Sequence, residues 1–201
     1  MTVVPCVLVK KIFLIGTSHA LQLRTPQIST AAQESFKSLV ANTCARHRAR
    51  LIAEEMSDEA LQNRGATQTI CGEIAAEAPD TGHLLVDPNI DERRQLGIEN
   101  VDHVPPEIFH TLHMQSARAT SLDDLRREAD IRAAADPRVR SSHDKREKEW
   151  VRRLELKNQF PILLVCGANH VQSFSELAEN MGFVVTVLHA DWHPSFPIYS
   201  E

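Results

Sequence analysis

The chain has 201 residues, of which 42% are hydrophobic and 24% are charged, and its formal net charge is −5. This length and composition are typical of one globular domain with a sizeable core, which we expect to span residues 1–201. The mild charge argues against a nucleic-acid-binding protein and against a protein held at a membrane surface, so we expect neither kind of partner.

The cysteines and the beginning of the chain indicate a cytoplasmic protein. The four cysteines are Cys6, Cys44, Cys71 and Cys166. None forms a Cys-x-x-Cys pair, which argues against a zinc ribbon and a disulfide scaffold and favours free thiols in a reducing compartment. Residues 2–14 lack the order of a signal peptide, because Lys10 and Lys11 interrupt the apolar run. The longest apolar run, at residues 161–167, is too short to cross a bilayer.

Strands and helices are predicted to alternate over the first half of the chain. Short aliphatic runs predict strands at residues 12–15, 50–53 and 83–86. A long amphipathic helix should begin at Thr30, which has capping-box spacing to Gln33. His47 lies on the apolar stripe of this helix, and we expect it at the helix surface or the core edge rather than in a ligand set. Shorter helices are expected at residues 57–64, 67–78 and 91–96.

The second half of the chain is predicted to contain a charged helical segment and two further strands. Residues 118–158 have few large apolar side chains, and we predict a helical insertion that could be a lid, a partner-binding arm or a set of solvated helices. Strands should follow at residues 161–166 and 183–188, with a helix between them at residues 170–181. We expect Val184, Val185 and Val187 to be buried in the last strand.

Two further groups of histidines are weaker metal candidates. His110 and His113 are three residues apart in a predicted helix, but no third ligand is near them in the sequence. His189, Asp191 and His193 alternate near the carboxyl terminus and would share a face in an extended segment. We expect that this segment frays into a Pro-rich tail instead.

The alternation of strands and helices predicts an α/β fold, with a mostly parallel central sheet flanked by helices on both faces. In such sheets ligands bind at the carboxyl ends of the strands. A Gly-x-x-His pattern occurs twice at that edge, as Gly16-Thr17-Ser18-His19 after the first strand and Gly167-Ala168-Asn169-His170 after the fourth. We therefore expect His19 and His170 to converge on one site.

Acidic and basic residues near the same edge supply further candidates. Glu54 and Glu55 end the second strand, and at most one of them faces a given site because consecutive strand residues point to opposite sides. Both could equally be solvated or cap the following helix. Asp87 follows the third strand, although an Asp before a Pro also commonly opens a turn. Arg93 lies in the next predicted helix and could hold an anionic ligand or face solvent.

Two histidines and one carboxylate can bind a divalent metal ion and leave coordination positions open for water. Such an ion lowers the pKa of bound water and polarises a carbonyl group, which is the basis of metal-assisted hydrolysis. The paired motifs and the glutamate between them therefore favour a hydrolase site.

In their order along the chain, these motifs resemble those of the TraB/Tiki group, within the superfamily that includes erythromycin esterases and heme-binding ChaN-like proteins. In that group a Gly-x-x-His follows the first strand, a glutamate ends the second, an arginine lies on a later helix, and a second Gly-x-x-His ends a late strand. The matching helix here is Lys-Arg-Glu-Lys-Glu-Trp at residues 145–150. The family's helix usually has Glu before the arginine, Asn or Asp after it and Met at its fifth position, so Lys145, Glu147 and Trp150 depart from the pattern.

The resemblance implies a divergent, metal-dependent hydrolase that acts on a peptide, ester or amide bond of a peptide or small-molecule substrate. In this role His19, Glu55 and His170 would bind a zinc, manganese or cobalt ion, Glu54 would act as general base, and Arg146 would stabilise developing negative charge. Candidate substrate contacts are Ser18, Asp87, Arg93 and Asn169. Which of Glu54 and Glu55 faces the ion stays open, because the extra acidic residue makes the register ambiguous.

Two alternative functions remain, and a structural role also stays open, in which His19 and His170 only form hydrogen bonds at the sheet edge. One is a metal-free, esterase-like hydrolase in which a histidine acts as the base. The other is a non-catalytic module that binds heme or an anionic metabolite in the same cleft, and a thermal-shift screen would separate it from an enzyme. A homo-oligomer is compatible with all three functions.

Overall fold

Five parallel strands form the centre of the structure. The computed structural model describes residues 9–26, 28–99 and 137–195. Within these ranges the strands are β1 (Lys11–Thr17), β2 (Leu51–Glu54), β3 (Gly82–Leu85), β4 (Ile162–Gly167) and β5 (Val184–Trp192). They lie in the order β3-β2-β4-β1-β5, and each neighbouring pair is parallel. The predicted α/β fold is confirmed.

Helices connect the strands and cover both faces of the sheet. The described α-helices are α1 (Thr30–His47), α2 (Asp58–Asn63), α3 (Ile70–Glu77), α4 (Ile90–Gln95), α5 (Pro137–Lys157) and α6 (Val171–Asn180). Two short 3₁₀ helices, η1 (His19–Gln22) and η2 (Ala168–His170), follow β1 and β4. The cap of α1 is Ser29 rather than the predicted Thr30, because the Ser29 hydroxyl accepts a hydrogen bond from the Ala32 N–H.

Strand alternation divides the core into two layers. Ile12 and Leu14 of β1 pack with Trp150 of α5 on one face of the sheet, where α6 also lies. Phe13 and Ile15 point to the other face and pack with Phe36 of α1, beside α3. Since successive strand residues point to opposite faces, one apolar strand supplies both layers.

Helix α5 is the described part of the predicted charged insertion. Its Trp150, Val151 and Leu154 are fully buried against the sheet, which is the apolar stripe that the sequence predicts. Residues 137–157 therefore form part of the core layer. Residues 118–136 and the predicted helix that carries His110 and His113 lie outside the described residues.

Strand β5 differs from the sequence prediction in its length and its burial. It continues to Trp192, whose backbone oxygen accepts a hydrogen bond from the Thr17 hydroxyl at 3.0 Å, so it does not fray after residue 188. The expected burial of Val184 and Val187 is wrong, because they are 49% and 43% exposed. Strand β5 lies at the edge of the sheet and has one neighbouring strand, whereas an inner strand has two.

Candidate functional site

The two Gly-x-x-His motifs meet at the carboxyl edge of neighbouring strands. They follow β1 and β4, which pair with each other in parallel. Each histidine belongs to a 3₁₀ turn: His19 begins η1 and His170 ends η2. The two motifs are out of register by one residue, because Gly167 pairs with Thr17 and Gly16 pairs with Cys166. The two histidines therefore enter the site in different surroundings.

Glu55 lies between the two histidines and contacts both. Its Oε1 is 3.2 Å from Nε2 of His170, and its Oε2 is 3.5 Å from Nε2 of His19. Oε1 also accepts a hydrogen bond from Nη2 of Arg146 at 2.5 Å, and Oε2 accepts one from the Gly167 N–H at 2.7 Å. The carboxylate is thus buried and surrounded by hydrogen-bond donors.

These donors determine the charge state of Glu55. Burial disfavours the carboxylate, but its interactions with His170, His19 and Arg146 outweigh this effect and hold the pKa of Glu55 well below its ordinary value. Glu55 is therefore an anion over the whole physiological pH range.

Arg146 connects Glu55 to a second buried carboxylate. Its Nε donates to Oδ1 of Asp87 at 2.8 Å, and the Trp150 indole N–H donates to the same oxygen at 3.0 Å. The other oxygen of Asp87 accepts a hydrogen bond from Nη2 of Arg93 at 2.5 Å. Two of the four predicted substrate contacts, Asp87 and Arg93, are therefore buried in this network rather than presented to solvent.

His170 is almost completely buried between acidic and aromatic groups. Its Nδ1 is 2.7 Å from Oε1 of Glu147, and its ring lies 4.8 Å from the Trp150 ring and 4.1 Å from the His143 ring, centroid to centroid. Burial alone would lower the pKa of His170, but Glu55 and Glu147 outweigh this effect and raise the pKa to about 9. His170 is therefore a cation at neutral pH.

His19 is the accessible member of the histidine pair. Its side chain is 39% exposed, whereas that of His170 is 4% exposed. Nδ1 of His19 is 3.3 Å from the amide nitrogen of Gln22, which is buried in the same turn. Ser18 caps this turn through its hydroxyl, and Asn169 is exposed on the neighbouring turn.

Gly167 allows His19 and Glu55 to approach the backbone of β4. A Cβ atom on Gly167 would lie 3.0 Å from Nε2 of His19 and 3.2 Å from Oε2 of Glu55. Both distances are shorter than most contacts of a Cβ atom, so the close approach of these groups favours a glycine. The glycine of the first motif has a different neighbour, because a Cβ on Gly16 would lie 2.1 Å from the Ala190 backbone oxygen on β5.

Glu54 faces the opposite side of the sheet from Glu55. Its Oε1 accepts a hydrogen bond from the Thr69 hydroxyl and lies 2.5 Å from Nε2 of His83. This position corrects the expectation that Glu54 is the general base beside His19 and His170. The physical reason is the alternation of side chains along a strand, which separates adjacent carboxylates by the thickness of the sheet.

Three residues of this site were not predicted from the sequence. Glu147 and Ser173 lie beside His170, since both Nδ1 of His170 and the Ser173 hydroxyl are 2.7 Å from Oε1 of Glu147. His143 packs against the same imidazole. The signal for two of them was present as the i, i+4 spacing of His143 and Glu147, which places both on one helix face.

A metal ion held by the expected set of His19, Glu55 and His170 stays a prediction. The two imidazoles approach different oxygens of Glu55, and a guanidinium nitrogen lies 2.5 Å from one of these oxygens. A divalent cation bound there would lie beside the positive charge of Arg146. Among the described residues, the three ligand atoms that gather within 4.8 Å of one another belong instead to His143, Glu147 and His170.

A separate cleft lies at the other edge of the sheet. It has a volume of about 740 Å³, and its lining includes Ala41, Arg48, Arg50, Thr81 and Pro161, near the amino ends of β2, β3 and β4. None of the predicted site residues lines it. The cleft and the histidine site are therefore on opposite edges of the sheet.

Comparison with known proteins identifies no relative of this chain. No family model matches it, and no curated protein and no solved structure matches it. The likeness to the TraB/Tiki group therefore stays a prediction. No helix in the described part of the chain has the length and apolar character needed to cross a membrane.

Proposed function

We propose that the protein is a hydrolase of ester, lactone or amide bonds and that His19 acts as the general base without a metal ion. The observation that carries this proposal is the contrast between the exposed imidazole of His19 and the buried, ionised Glu55 beside it, 3.5 Å away. Histidine is the side chain most often used to accept a proton from an attacking water near neutral pH.

The other histidine is unsuited to this role. His170 is almost fully buried, and the carboxylates of Glu55 and Glu147 raise its pKa to about 9. A protonated imidazole has no lone pair with which to accept a proton. His170 therefore serves as a buried positive charge that holds Glu55 in its ionised form.

In the proposed reaction a water oxygen bonds to the substrate's carbonyl carbon, and the water's proton passes to the His19 imidazole. The proton then moves to the oxygen or nitrogen of the leaving group as the acyl bond breaks, so the histidine returns to its starting state. Glu55 supports the positive charge that His19 carries in between. Arg146 is a positioning residue, because its guanidinium bonds to Glu55 and Asp87.

Half-buried Ser18 and exposed Asn169 are the proposed contacts to the substrate. Ser18 precedes His19 in the same turn, and Asn169 lies on the exposed side of the turn that carries His170. Both are uncharged and can exchange hydrogen bonds with an acyl substrate. Asp87 and Arg93 are left out of this role because they are buried.

The test is a hydrolysis screen with aryl esters, lactones, amides and short peptides, on protein freed of metal by a chelator. His193 supplies the matched control, because it is also an exposed histidine beside a carboxylate, 43% exposed and 2.7 Å from Asp191. We expect turnover in the chelated protein, a loss of about 10²- to 10⁴-fold in His19→Ala, and no loss in His193→Ala.

Three results would overturn the proposal. Equal activity of His19→Ala and the parent protein would show that His19 is not the general base. Recovery of activity only after a divalent ion is added would favour the metal-dependent hydrolase. A screen without turnover, together with thermal stabilisation by heme or an anionic metabolite, favours the non-catalytic binding module.

A further inference from the structure

A histidine, a glutamate and a second histidine gather beside the site on α5 and η2. His143 and Glu147 are four residues apart on α5, and His170 ends η2. One potential ligand atom from each residue lies within 4.8 Å of the other two. Residues four apart on a helix lie on the same face, so α5 presents both of its members to His170.

The contacts of His170 match those of a metal-binding histidine. Its Nδ1 faces Glu147 at 2.7 Å, and its Nε2 faces Oε1 of Glu55 at 3.2 Å. A metal-binding imidazole commonly donates its second ring N–H to a carboxylate, which orients the ring and makes the first nitrogen a better ligand. Glu55 is placed to accept that hydrogen bond, so the outer partner of a His170 ligand is already in position.

The glutamate of the group also has an outer partner. The Ser173 hydroxyl donates a hydrogen bond to Oε1 of Glu147 at 2.7 Å. Such a bond holds the carboxylate of a metal site in one orientation. The charge of Arg146 does not oppose a cation at full strength, because its guanidinium bonds to Glu55 and Asp87.

From this arrangement we infer that His143, Glu147 and His170 form a binding site for a divalent first-row metal ion of the zinc type. Two imidazole nitrogens and one carboxylate oxygen are a typical donor set for zinc, with a fourth position left for water. This site differs from the expected set in two of its three ligands, because it uses His143 and Glu147 in place of His19 and Glu55.

Ion binding requires a small rearrangement of the group. Tetrahedral zinc keeps its ligand atoms about 3.4 Å apart, as follows from bonds of about 2.0–2.1 Å. Nδ1 of His170 and Oε1 of Glu147 are 2.7 Å apart because they share a proton, and the ion takes the place of that proton. His143 is only half-buried, so its side chain can move the remaining distance and solvent can reach the ion.

The experiment measures zinc binding directly and needs no substrate, so its outcome is independent of the proposed hydrolysis. Metal-free protein is titrated with zinc in competition with a chromophoric chelator. We expect one zinc per chain in the parent protein. His143→Ala and Glu147→Gln should each weaken zinc binding by at least about tenfold.

The control variant is His19→Ala, which removes a histidine from the neighbouring turn. It should bind zinc within about twofold of the parent, because His19 is not a ligand of the inferred site. Thermal melts of all four proteins confirm that each is folded at the temperature of the titration. Cobalt in place of zinc gives a second readout, since its visible absorption reports a tetrahedral site with nitrogen and oxygen ligands.

Two results would overturn the inference. The first is a parent protein that takes up no zinc in the titration. The second is a loss of zinc binding in His19→Ala as large as that in His143→Ala, which would move the ion to the set of His19, Glu55 and His170.

Discussion

Gly167 pairs in the sheet with Thr17 rather than with Gly16, so the two similar motifs are displaced by one residue across β1 and β4. The histidines that follow the glycines differ in burial, because His170 packs against Glu147 and Trp150 of α5 whereas the His19 side chain is 39% exposed. The two glycines also have different neighbours. Gly16 lies against the β5 backbone, whereas Gly167 makes room for His19 and Glu55.

We predict that Gly167→Ala displaces His19 and Glu55 and lowers the free energy of unfolding by about 1–3 kcal/mol, because the added methyl group overpacks the site. Urea unfolding measures the stability, and the NMR signals of the His19 ring report its displacement. The control is Gly65→Ala, where φ is +65° and no atom lies within 4 Å of the new Cβ. It should cost about 1 kcal/mol and leave the His19 signals unchanged. Identical His19 signals in both variants would contradict the prediction.

Glu55→Gln should destabilise the protein by about 3–5 kcal/mol, since it leaves Arg146 and His170 with an uncompensated buried charge. Chemical denaturation measures this loss. The exposed pair of Glu34 and Arg24 gives the comparison, and Glu34→Gln should cost no more than about 1 kcal/mol. Similar losses in the two variants would show that Glu55 does not carry the charge balance of the site.

The opposite orientation of the two adjacent glutamates predicts different effects on hydrolysis. Glu55→Gln should reduce turnover at a temperature where the variant is still folded, because His19 loses its anionic neighbour. Glu54→Gln should retain turnover, since Glu54 contacts Thr69 and His83 on the other face. Rates measured on the same ester substrate test both statements. Loss of turnover in Glu54→Gln with retention in Glu55→Gln would indicate that Glu54 takes part in the reaction.

Stability should depend on the protonation of His170. Its pKa is raised from 6.5 to about 9 on folding, so protonation stabilises the folded state. This contribution, on the order of 3 kcal/mol, is complete below pH 6.5 and is lost as the pH rises through about 9. The free energy of unfolding of chelator-treated protein, measured from pH 6 to 10, should fall over this range. In His170→Gln the free energy of unfolding should depend less on pH. An equal dependence on pH in the variant and the parent protein would show that His170 is not the titrating group.

Trp150→Phe should cost about 2 kcal/mol, because it removes a buried hydrogen bond from the indole N–H to the Asp87 carboxylate. Thermal and chemical unfolding give the measurement. Trp192→Phe is the control. Because Trp192 is only half-buried, this substitution should lower the free energy of unfolding by less. An equal cost for both substitutions would indicate that ring volume, and not the hydrogen bond to Asp87, dominates.

Much of the sheet is predictable because a short aliphatic run between polar segments rarely forms anything other than a buried strand. The runs at β1, β2 and β4 are buried on both faces, as their composition indicates. The exposure of β5 is not predictable from its valines, because burial of a strand depends on its place in the strand order. A valine-rich edge strand and a valine-rich inner strand have the same local pattern.

The site was predicted in part, for a similar reason. Strand ends and motif spacing indicate that His19, His170 and one of Glu54 and Glu55 share an edge, and the structure brings both histidines into contact with Glu55. The offset of the motifs depends on the register between β1 and β4, which no local pattern encodes. Glu147 was missed because it lies in a charged run, where a residue that pairs with a buried histidine resembles one that faces solvent.

The balance of buried charges around Glu55 determines which substitutions this region can accept. Three carboxyl groups, of Glu55, Asp87 and Glu147, face three cations, of Arg93, Arg146 and His170. Loss of Arg146 alone leaves a surplus of negative charge in the interior, whereas joint loss of Arg146 and Glu55 leaves two groups of each sign. Joint removal of two opposite charges should therefore destabilise the fold less than removal of either charge alone. Charged residues of this interior can be replaced in pairs at a lower cost in stability than one at a time.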